Sequence, residues 1–293
     1  MAQVSLPSLS TIIPVFNGEK FLAMAIDSVL DQTYSNIECV VVNDGSTDGT
    51  ATIARSYGKR IRYVDKPNRG VSSARNAGIE ASAGQLIAFL DADDMWVPNK
   101  IERQVDLFLK NQNVGLIYSS VLIVDENGSV LDEIRNQFKD DILKRILLLE
   151  TPSFLTMTGV VPKSVLDDIG MFDERLSTSA DADLACRISL KYKTLAMDEP
   201  LALYRQHNGQ MHLNLVTLEH DANLLFQKIF AEPTLPQDIA KLKTKAYASL
   251  ESTLAIGYLS QRKGVPGIRH LVRGFRSSPI VTVQKFMKLF GIV

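Results

Sequence analysis

The 293-residue chain has few cysteines and no long apolar run. Its two cysteines, Cys39 and Cys186, lack the spacing of a metal site or a disulfide framework, which favours a reducing cytoplasm. No apolar stretch approaches the ~20 residues that span a bilayer, so any membrane contact is expected to be peripheral, at the inner face. The formal net charge of −1 provides no basic excess, which argues against a nucleic-acid partner.

Two glycine-rich nucleotide motifs are also missing. Neither G-x-G-x-x-G nor G-x-x-x-x-G-K-[ST] occurs, which excludes the usual dinucleotide fingerprint and the P-loop.

Acidic residues are absent after Glu251, whereas basic residues continue to the end: Arg262, Lys263, Arg269, Arg273, Arg276, Lys285 and Lys288. The segment after Glu251 is therefore strongly basic, because it contains lysine and arginine but no aspartate or glutamate.

Short apolar runs alternate with helical patterns in the first half of the chain. This alternation predicts an α/β fold, Rossmann-like, with a mostly parallel central sheet flanked by helices. The first run, which has no basic segment before it, predicts a strand and not a signal peptide. Strands are expected near Ser10–Val15, Ile37–Asn43, Ile61–Asp65, Leu86–Leu90 and Gly115–Val124.

The alternation weakens after Asp125, where Asn127-Gly128 predicts a hairpin and hence a mixed sheet. Beyond Leu213 the pattern is helical. We therefore predict a catalytic domain over residues 1–212 and a helical C-terminal extension over residues 213–293. Further elements are expected at Asp140–Leu149, Lys163–Ile169 and Ala182–Lys191 as helices, and at Leu195–Tyr204 as a strand.

Three carboxylates follow the apolar run that ends at Leu90: Asp91, Asp93 and Asp94. Strand ends in open α/β sheets are where ligands bind, and clustered carboxylates repel one another unless a cation joins them. Hard oxygen ligands suit Mg²⁺ or Mn²⁺. Asp91 and Asp93 are therefore candidates for a divalent-metal site; alternatively, Asp93 or Asp94 caps a helix that begins near Pro98.

Two other segments have the same strand-to-helix character. Asp44, at the end of a strand and before Gly45, could accept hydrogen bonds from a base or a ribose; the alternative is an Asx turn, which we favour for Asp48. Arg75 lies early in a helix beside small residues and could bind phosphate or a base edge. The alternative for Arg75 is a solvated arginine.

Four motifs in this order resemble the family 2 inverting glycosyltransferases, nucleotide-diphospho-sugar transferases, over about residues 8 to 210. They are Thr11–Asn17, Asn43–Asp48, Asn68-Arg69-Gly70 with Ala74-Arg75-Asn76, and Asp91-Ala92-Asp93-Asp94 with Trp96 and Pro98. The resemblance implies a GT-A fold, a nucleotide-sugar donor and a Mg²⁺ or Mn²⁺ ion. It also implies that Asp93 binds the metal and that the nucleotide contacts Pro14, Phe16, Asn17, Asp44, Arg75, Asp91 and Ala92.

The second half has Gly170–Leu176 followed by Ala180-Asp181-Ala182-Asp183-Leu184. The resemblance places Asp181 at the catalytic base, while Ala180 stands where the family usually has Glu. The alternative is that Asp181 and Asp183 only favour a helix N-terminus through its dipole. Tyr204-Arg205-Gln206-His207 resembles another family element, in which His207 would reach the metal or the diphosphate. Trp96 could be either a sugar platform or a packing residue.

The expected function is metal-dependent transfer of a sugar, with UDP-sugars favoured as donors, to a hydroxyl of a saccharide or lipid-linked acceptor. Such a reaction fits cell-surface polysaccharide or glycan synthesis. The alternative is a nucleotide-sugar-binding protein that no longer catalyses. The basic C-terminal helices are expected either to contact a membrane surface or to pack on the catalytic domain or on a second subunit of a homodimer.

Overall fold

The computed structural model describes residues 6–135, 141–150, 155–207 and 214–289. The chain divides into two compact units, one within residues 1–140 and 154–210 and the other within residues 141–153 and 211–293. The second unit thus takes in residues 141–153, which lie inside the catalytic domain predicted from the sequence. The predicted boundary between residues 212 and 213 lies outside the described residues, and it stays a prediction.

The first unit is built on one sheet of nine strands. The spatial order is β3-β2-β1-β4-β8-β6-β9-β5, and β7 pairs with β6 outside this path. The strands are β1 (Leu9–Val15), β2 (Ile37–Asp44), β3 (Arg62–Lys66), β4 (Leu86–Phe89), β5 (Met95–Trp96), β6 (Val114–Val124), β7 (Val130–Ile134), β8 (Val160–Pro162) and β9 (Lys193–Arg205).

The direction of the strands determines which edge of the sheet is placed to bind ligands. Strands β1 to β4 are mutually parallel, and β8 runs antiparallel to both β4 and β6. Because β9 is parallel to β6, it also runs in the direction of β1, β2 and β4. The carboxyl ends of β1, β2, β4 and β9 therefore open on the same edge of the sheet, where ligands bind in open α/β folds.

Helices connect and cover these strands, as the alternation in the sequence predicts. In chain order they are α1 (Leu22–Leu30), α2 (Thr50–Ser56), α3 (Val71–Ala81), α4 (Lys100–Lys110), α5 (Ile142–Leu147), α6 (Leu155–Thr158), α7 (Lys163–Ile169), α8 (Ala180–Lys191), α9 (Leu215–Phe230), α10 (Gln237–Ala240), α11 (Lys243–Ser260), α12 (Gly264–Ser277) and α13 (Pro279–Leu289), with a 3-10 turn at Gly58–Arg60.

The core of the first unit follows from the apolar periodicity. Every residue of β1 is buried, because helices cover both faces of a parallel sheet. Helix α1 buries Leu22, Ala25, Ile26 and Val29, the face at helical spacing that packs on the sheet. The hairpin at Asn127-Gly128 joins β6 to β7, with Val124 opposite Val130 and Gly128 at φ +88°. The predicted α/β class, with a mostly parallel sheet and a C-terminal helical region, is confirmed.

Three short elements were not predicted: β5, β8 and α6. Runs of two to four residues carry no usable periodicity. Strand β8 nevertheless matters, because it lies between β4 and β6 and makes the sheet mixed. In the described part of the chain, no helix combines the length and apolar character needed to cross a bilayer.

Candidate active site

The loops after β1 and β2 are tied together by hydrogen bonds. The Asn17 amide N–H donates to the Ser46 hydroxyl at 2.9 Å, and the Thr47 amide N–H donates to the Asn17 side-chain oxygen at 2.9 Å. Asn17 has φ +53°, a left-handed conformation that Asn tolerates better than most residues. Pro14 is buried in β1, whereas Phe16 is 53% exposed. The Phe16 ring is therefore accessible for stacking on a flat base.

Asp44 is buried at the end of β2 and organises the loop that precedes α3. Its carboxylate accepts the backbone N–H groups of Arg69 at 3.1 Å and Gly70 at 2.8 Å, and it contacts the Lys66 ammonium closely. Gly45 follows at φ +75°, and a Cβ there would lie 2.8 Å from the Asn68 nitrogen. An ionised carboxylate has about four acceptor positions, so Asp44 retains capacity for one further donor.

Arg75 is paired with Asp91 across the strand end. The Arg75 Nη2 group lies 2.8 Å from Asp91 Oδ1, and the Thr156 hydroxyl donates to Asp91 Oδ2 at 3.2 Å. Arg75 is only 5% exposed, and its guanidinium lies 5.3 Å from the centre of the Phe172 ring. The interpretation of Arg75 as a solvated arginine is therefore wrong. Its buried Nε atom has no hydrogen-bond partner among the described residues.

Asp93 contacts His207, which follows the end of β9. The His207 Nε2 atom lies 2.8 Å from Asp93 Oδ2. Burial, and next the negative charge of Asp91, raise the pKa of Asp93, while the hydrogen bond to His207 opposes this shift. Between the two aspartates, Ala92 lies close to the loop after β1, because a Cβ built on Gly18 would be 3.6 Å from the Ala92 Cβ.

Asp94 is fully buried and does not cap a helix. Its carboxylate accepts the backbone N–H of Arg205 at 2.9 Å, and helix α4 begins only at Lys100, after Asn99. The capping interpretation of these aspartates is therefore wrong. Burial, followed by the charges of Asp93 and Asp91, raises the pKa of Asp94 well above its usual value.

The donor set at this edge fits a divalent cation. In the described part of the chain, no group of three or more His, Cys, Asp and Glu side chains is placed to hold a metal ion. Asp93 and His207 supply a carboxylate oxygen and an imidazole nitrogen. The raised pKa of Asp93 has burial as its first cause and the negative charge of Asp91 as its second, and a cation would offset that charge. Mg²⁺ sites commonly use one or two carboxylates together with substrate phosphates and water. Two protein ligands are thus sufficient for such a site.

Asp181 and Asp183 lie in the first turn of α8 but have different surroundings. Asp183 is fully buried and accepts the Arg187 Nε–H at 2.8 Å, while Arg187 also donates to the carbonyls of residues 169, 170 and 171. This gives Asp183 a structural partner. Asp181 is 9% exposed, and its Oδ1 accepts the Ala182 N–H at 2.7 Å.

Short links connect the start of α8 to the Asp91 end of the sheet. Helix α6 packs on both β4 and α8, and it carries the Thr156 hydroxyl that bonds Asp91. The Asn76 side chain pairs with the backbone of Phe172, and the Ser72 hydroxyl donates to the Leu176 carbonyl at 2.6 Å. The segment that leads into Asp181 is therefore held against α3, the helix that carries Arg75.

Trp96 has a packing role. It is 4% exposed, and its indole N–H donates to the Met157 carbonyl at 2.7 Å. The Lys100 ammonium lies 4.2 Å from the centre of its ring. Because the ring is buried and its polar edge bonds inside the protein, the interpretation of Trp96 as a sugar platform is wrong.

Arg205 is a site residue to which sequence reasoning assigned no role. Its side chain donates to the carbonyls of Asp93 at 2.9 Å and Glu126 at 2.6 Å, and it lies 4.8 Å from the centre of the Phe21 ring. It is 1% exposed, and it partly opposes the rise in the pKa of Asp94 that burial and the neighbouring aspartates cause. Arg205 therefore anchors the aspartate segment to the end of β9. The only signal in the sequence was an arginine two residues before His207.

Replacing Arg205 by Met is expected to destabilise the protein by about 3–5 kcal/mol, because it removes the charged donor of the hydrogen bonds to the Asp93 and Glu126 carbonyls, each worth about 1.5–3 kcal/mol. Urea unfolding measures this change. The matched control is Arg103→Met, which removes an exposed ion pair with Glu199 and should cost less than about 1 kcal/mol. Equal, small effects of the two substitutions would contradict an anchoring role for Arg205.

Comparison with known sequences identifies the family. The model for glycosyl transferase family 2 matches residues 10–170, more than half of the chain. An uncharacterized glycosyltransferase of Rickettsia felis is 36% identical over 258 residues, which cover 84% of this chain and 42% of the relative. Glycosyltransferase GlyA of Streptococcus pneumoniae is 36% identical over 224 residues, which cover 69% of this chain and 31% of GlyA. The chain belongs to glycosyl transferase family 2, a family of transferase enzymes, and it spans less than half the length of these two relatives.

Solved structures share its fold. Residues 1–349 of S. aureus TarS, in complex with UDP-GlcNAc, superpose with a TM-score of 0.65 at 16% identity, covering 96% of this chain and 92% of TarS 1–349. The mannosyltransferase PcManGT from Pyrobaculum calidifontis, in complex with GDP-Man and Mn²⁺, gives 0.65 at 17% identity, covering 98% and 81%. The predicted GT-A fold is confirmed.

Proposed function

We propose that the chain is a metal-dependent inverting glycosyltransferase. It transfers one sugar from a nucleoside diphosphate sugar, with UDP-sugars favoured, to a hydroxyl of a saccharide or lipid-linked acceptor during synthesis of a cell-surface polysaccharide or glycan. The observation that carries the proposal is the end of β4, where an Arg75–Asp91 ion pair and an Asp93–His207 contact lie one residue apart. The known ligands of the structural neighbours, UDP-GlcNAc and GDP-Man, support a nucleotide-sugar donor.

The residues divide into donor-binding and acceptor-activating groups. Phe16 offers an exposed ring to the base, and Asn17 and Asp44 shape the loops around it. Arg75 holds Asp91 in one orientation beside the nucleotide. Pro14, buried near the end of β1, and Ala92, close to the loop after β1, complete the nucleotide contacts. Because Asn17, Asp44 and Arg75 are held by hydrogen bonds within the protein, this part of the donor site is organised before the ligand binds.

Asp93 and His207 would hold the metal ion. When bound, Mg²⁺ or Mn²⁺ supplies Lewis-acid stabilisation of the negative charge that develops on the departing diphosphate. The contribution of the chain is to present one carboxylate and one imidazole, side by side, at the edge where Asp91 already lies. Arg205 keeps this segment in place through the Asp93 carbonyl.

Asp181 serves as the general base. An acceptor hydroxyl oxygen attacks the anomeric carbon, the bond from that carbon to the diphosphate oxygen breaks, and the hydroxyl proton passes to the Asp181 carboxylate. The products are a glycoside of inverted configuration and a nucleoside diphosphate. Asp181 lies in the first turn of α8, where the helix dipole favours an acidic side chain.

A donor screen tests the proposal. UDP-, GDP-, dTDP- and CDP-sugars are each added with Mn²⁺, and the melting temperature is measured. A donor at 100 times its dissociation constant stabilises by about 2.7 kcal/mol, so a shift of at least ~5 °C is expected for the preferred nucleotide. No shift with any donor would refute the proposal.

A second measurement, made with the donor that stabilises the protein, separates an enzyme from a protein that only binds nucleotide sugars. Ala180, which replaces the usual family Glu, is buried at the first position of α8 and favours the second reading. Slow release of the nucleoside diphosphate from the stabilising donor, in the presence of Mn²⁺, is expected for a transferase. Stabilisation without any release, with water or with acceptors, would show a binding protein.

A further inference from the structure

Helix α12 packs within the second unit through an unusual face. The residues it buries are Gly267, His270 and Gly274. A Cβ at Gly267 would lie 2.7 Å from Leu259 Cγ, and one at Gly274 would lie 3.0 Å from the Thr282 hydroxyl. The absence of side chains at these two positions lets α12 approach α11 and α13 closely, which a larger residue would prevent.

His270 fixes the rotation of α12 about its axis. The His270 Nδ1 atom lies 2.7 Å from a Glu251 carboxylate oxygen, and its ring stacks on Tyr258 with centroids 5.4 Å apart. Because His270 lies on α12 and its two partners lie on α11, these contacts orient one helix against the other. The face made of glycine and histidine is thus the inward face.

This packing leaves four apolar residues of α12 facing solvent. Val265 is 76% exposed, Ile268 58%, Val272 43% and Phe275 42%. Their spacing of three, four and three residues places them in one stripe along the helix. Helix α13 of the same unit also exposes Ile280 and Val283, at 71% and 43%. Helices of soluble proteins normally pack such a stripe against the core, so its exposure here indicates a surface that binds a partner.

Arginines lie beside the apolar stripe. Arg269 and Arg276 are exposed and lie seven residues apart on α12, which places them along one line next to the stripe, and Arg262 is exposed in the turn that precedes the helix. No acidic residue follows Glu251, so nothing later in the chain offsets these charges. A helix with an apolar stripe flanked by arginine is suited to an anionic lipid surface, where apolar side chains enter the acyl boundary and guanidinium groups meet phosphates.

We propose that the exposed face of α12, defined by Val265, Ile268, Val272 and Phe275 with Arg269 and Arg276, binds the surface of an anionic lipid bilayer together with Arg262 in the turn before the helix. The charge of the flanking residues selects this occupant over an uncharged apolar partner. The inference does not depend on the proposed sugar transfer, because none of these residues belongs to the candidate active site.

Liposome flotation of the 293-residue protein tests the inference. Vesicles contain either phosphatidylcholine alone or phosphatidylcholine with about 40% phosphatidylglycerol. The protein is expected to float with the anionic vesicles at least 10-fold more than with the neutral ones, and to be released as salt rises from about 0.05 to 0.5 M. Failure of the protein to float with anionic vesicles, or equal flotation with both kinds, would overturn the inference.

Two variants separate the apolar and charged contributions. The first carries Val265→Ser, Ile268→Ser, Val272→Ser and Phe275→Ser, and the second carries Arg262→Gln, Arg269→Gln and Arg276→Gln. The arginine variant is expected to bind anionic vesicles about 100-fold more weakly, since each of its three basic residues contributes about a factor of five. The apolar variant is expected to lose at least as much, because its four side chains no longer enter the acyl boundary. Both sets are exposed, so circular dichroism and melting temperature should match those of the parent protein.

The matched control replaces the same number of exposed apolar residues outside α12. It carries Leu109→Ser, Val130→Ser, Leu131→Ser and Val216→Ser, at positions that are 50–68% exposed, and it should float like the parent. If the control loses binding as much as the α12 apolar variant does, the inference is wrong. The other outcome that would contradict the inference is a second copy of the chain as the occupant of this face. In that case light scattering without lipid would show a dimeric parent and a monomeric apolar α12 variant, and neither protein would bind vesicles.

Discussion

Replacing Asp181 by Asn is expected to reduce the turnover of sugar transfer by about 10²–10⁴-fold, the usual contribution of a general base. Asparagine has nearly the same shape but cannot accept the proton of the acceptor hydroxyl. Donor affinity should stay unchanged, because Asp181 lies in α8 and not in the loops around the nucleotide. Steady-state kinetics with the best donor, together with calorimetric titration of the nucleotide, measure both quantities.

The control for this experiment is Asp167→Asn, an exposed aspartate on the preceding helix. It should retain full turnover. If Asp181→Asn transfers sugar at the parent rate, Asp181 is not the base. If the variant instead loses donor binding or unfolds at a lower temperature, the residue has a structural role at the helix N-terminus.

Replacing Asp93 by Asn should produce a different signature, in which activity falls but stability does not. Loss of the metal ligand is expected to reduce turnover by about 10²–10³-fold, since a Lewis-acid metal contributes several kcal/mol to the transition state. The pKa of Asp93 is raised by burial and by Asp91, so its charge disfavours the folded state. A neutral side chain of the same shape should therefore leave the ligand-free protein at least as stable as the parent.

Calorimetric titration of Mn²⁺ with UDP present gives a readout apart from turnover, and the variant should lose this binding. Chelation by EDTA should reduce the parent to the activity of the variant and leave the variant unchanged. Asp31→Asn, at an exposed position after α1, is the control and should behave as the parent does. An Asp93→Asn protein that still binds Mn²⁺ with UDP as tightly as the parent would exclude Asp93 as the anchor.

Much of the fold could be predicted from the sequence because apolar runs of strand length carry their own signal. Five strands were predicted within one residue or so of their observed limits, and the Lys163–Ile169 helix was predicted at its observed limits. Strands β5 and β8 were missed because two or three residues show no periodicity. Their pairing depends on partners that are distant in sequence, such as Ala88 opposite Val160.

In the candidate site, too, some features could be predicted from the sequence and others could not. The residues at the ends of β1, β2 and β4 could be named from the sequence, because polar groups that follow buried strands stand out. Their roles stay predictions. The burial of Arg75, the anchoring by Arg205 and the packing of Trp96 could not be read in this way, since each depends on a contact with a residue at least sixteen positions away.

The sequence by itself determined the α/β class, the family and the aspartates that follow β4, because these follow from local apolar runs and short motifs. Only the tertiary structure decided which edge collects Asp93 and His207, since β9 had to run parallel to β6 to bring His207 there. Tertiary packing also decided which face of α12 remains exposed. Glycines made its inward face, and the apolar residues that would usually form a core were left at the surface.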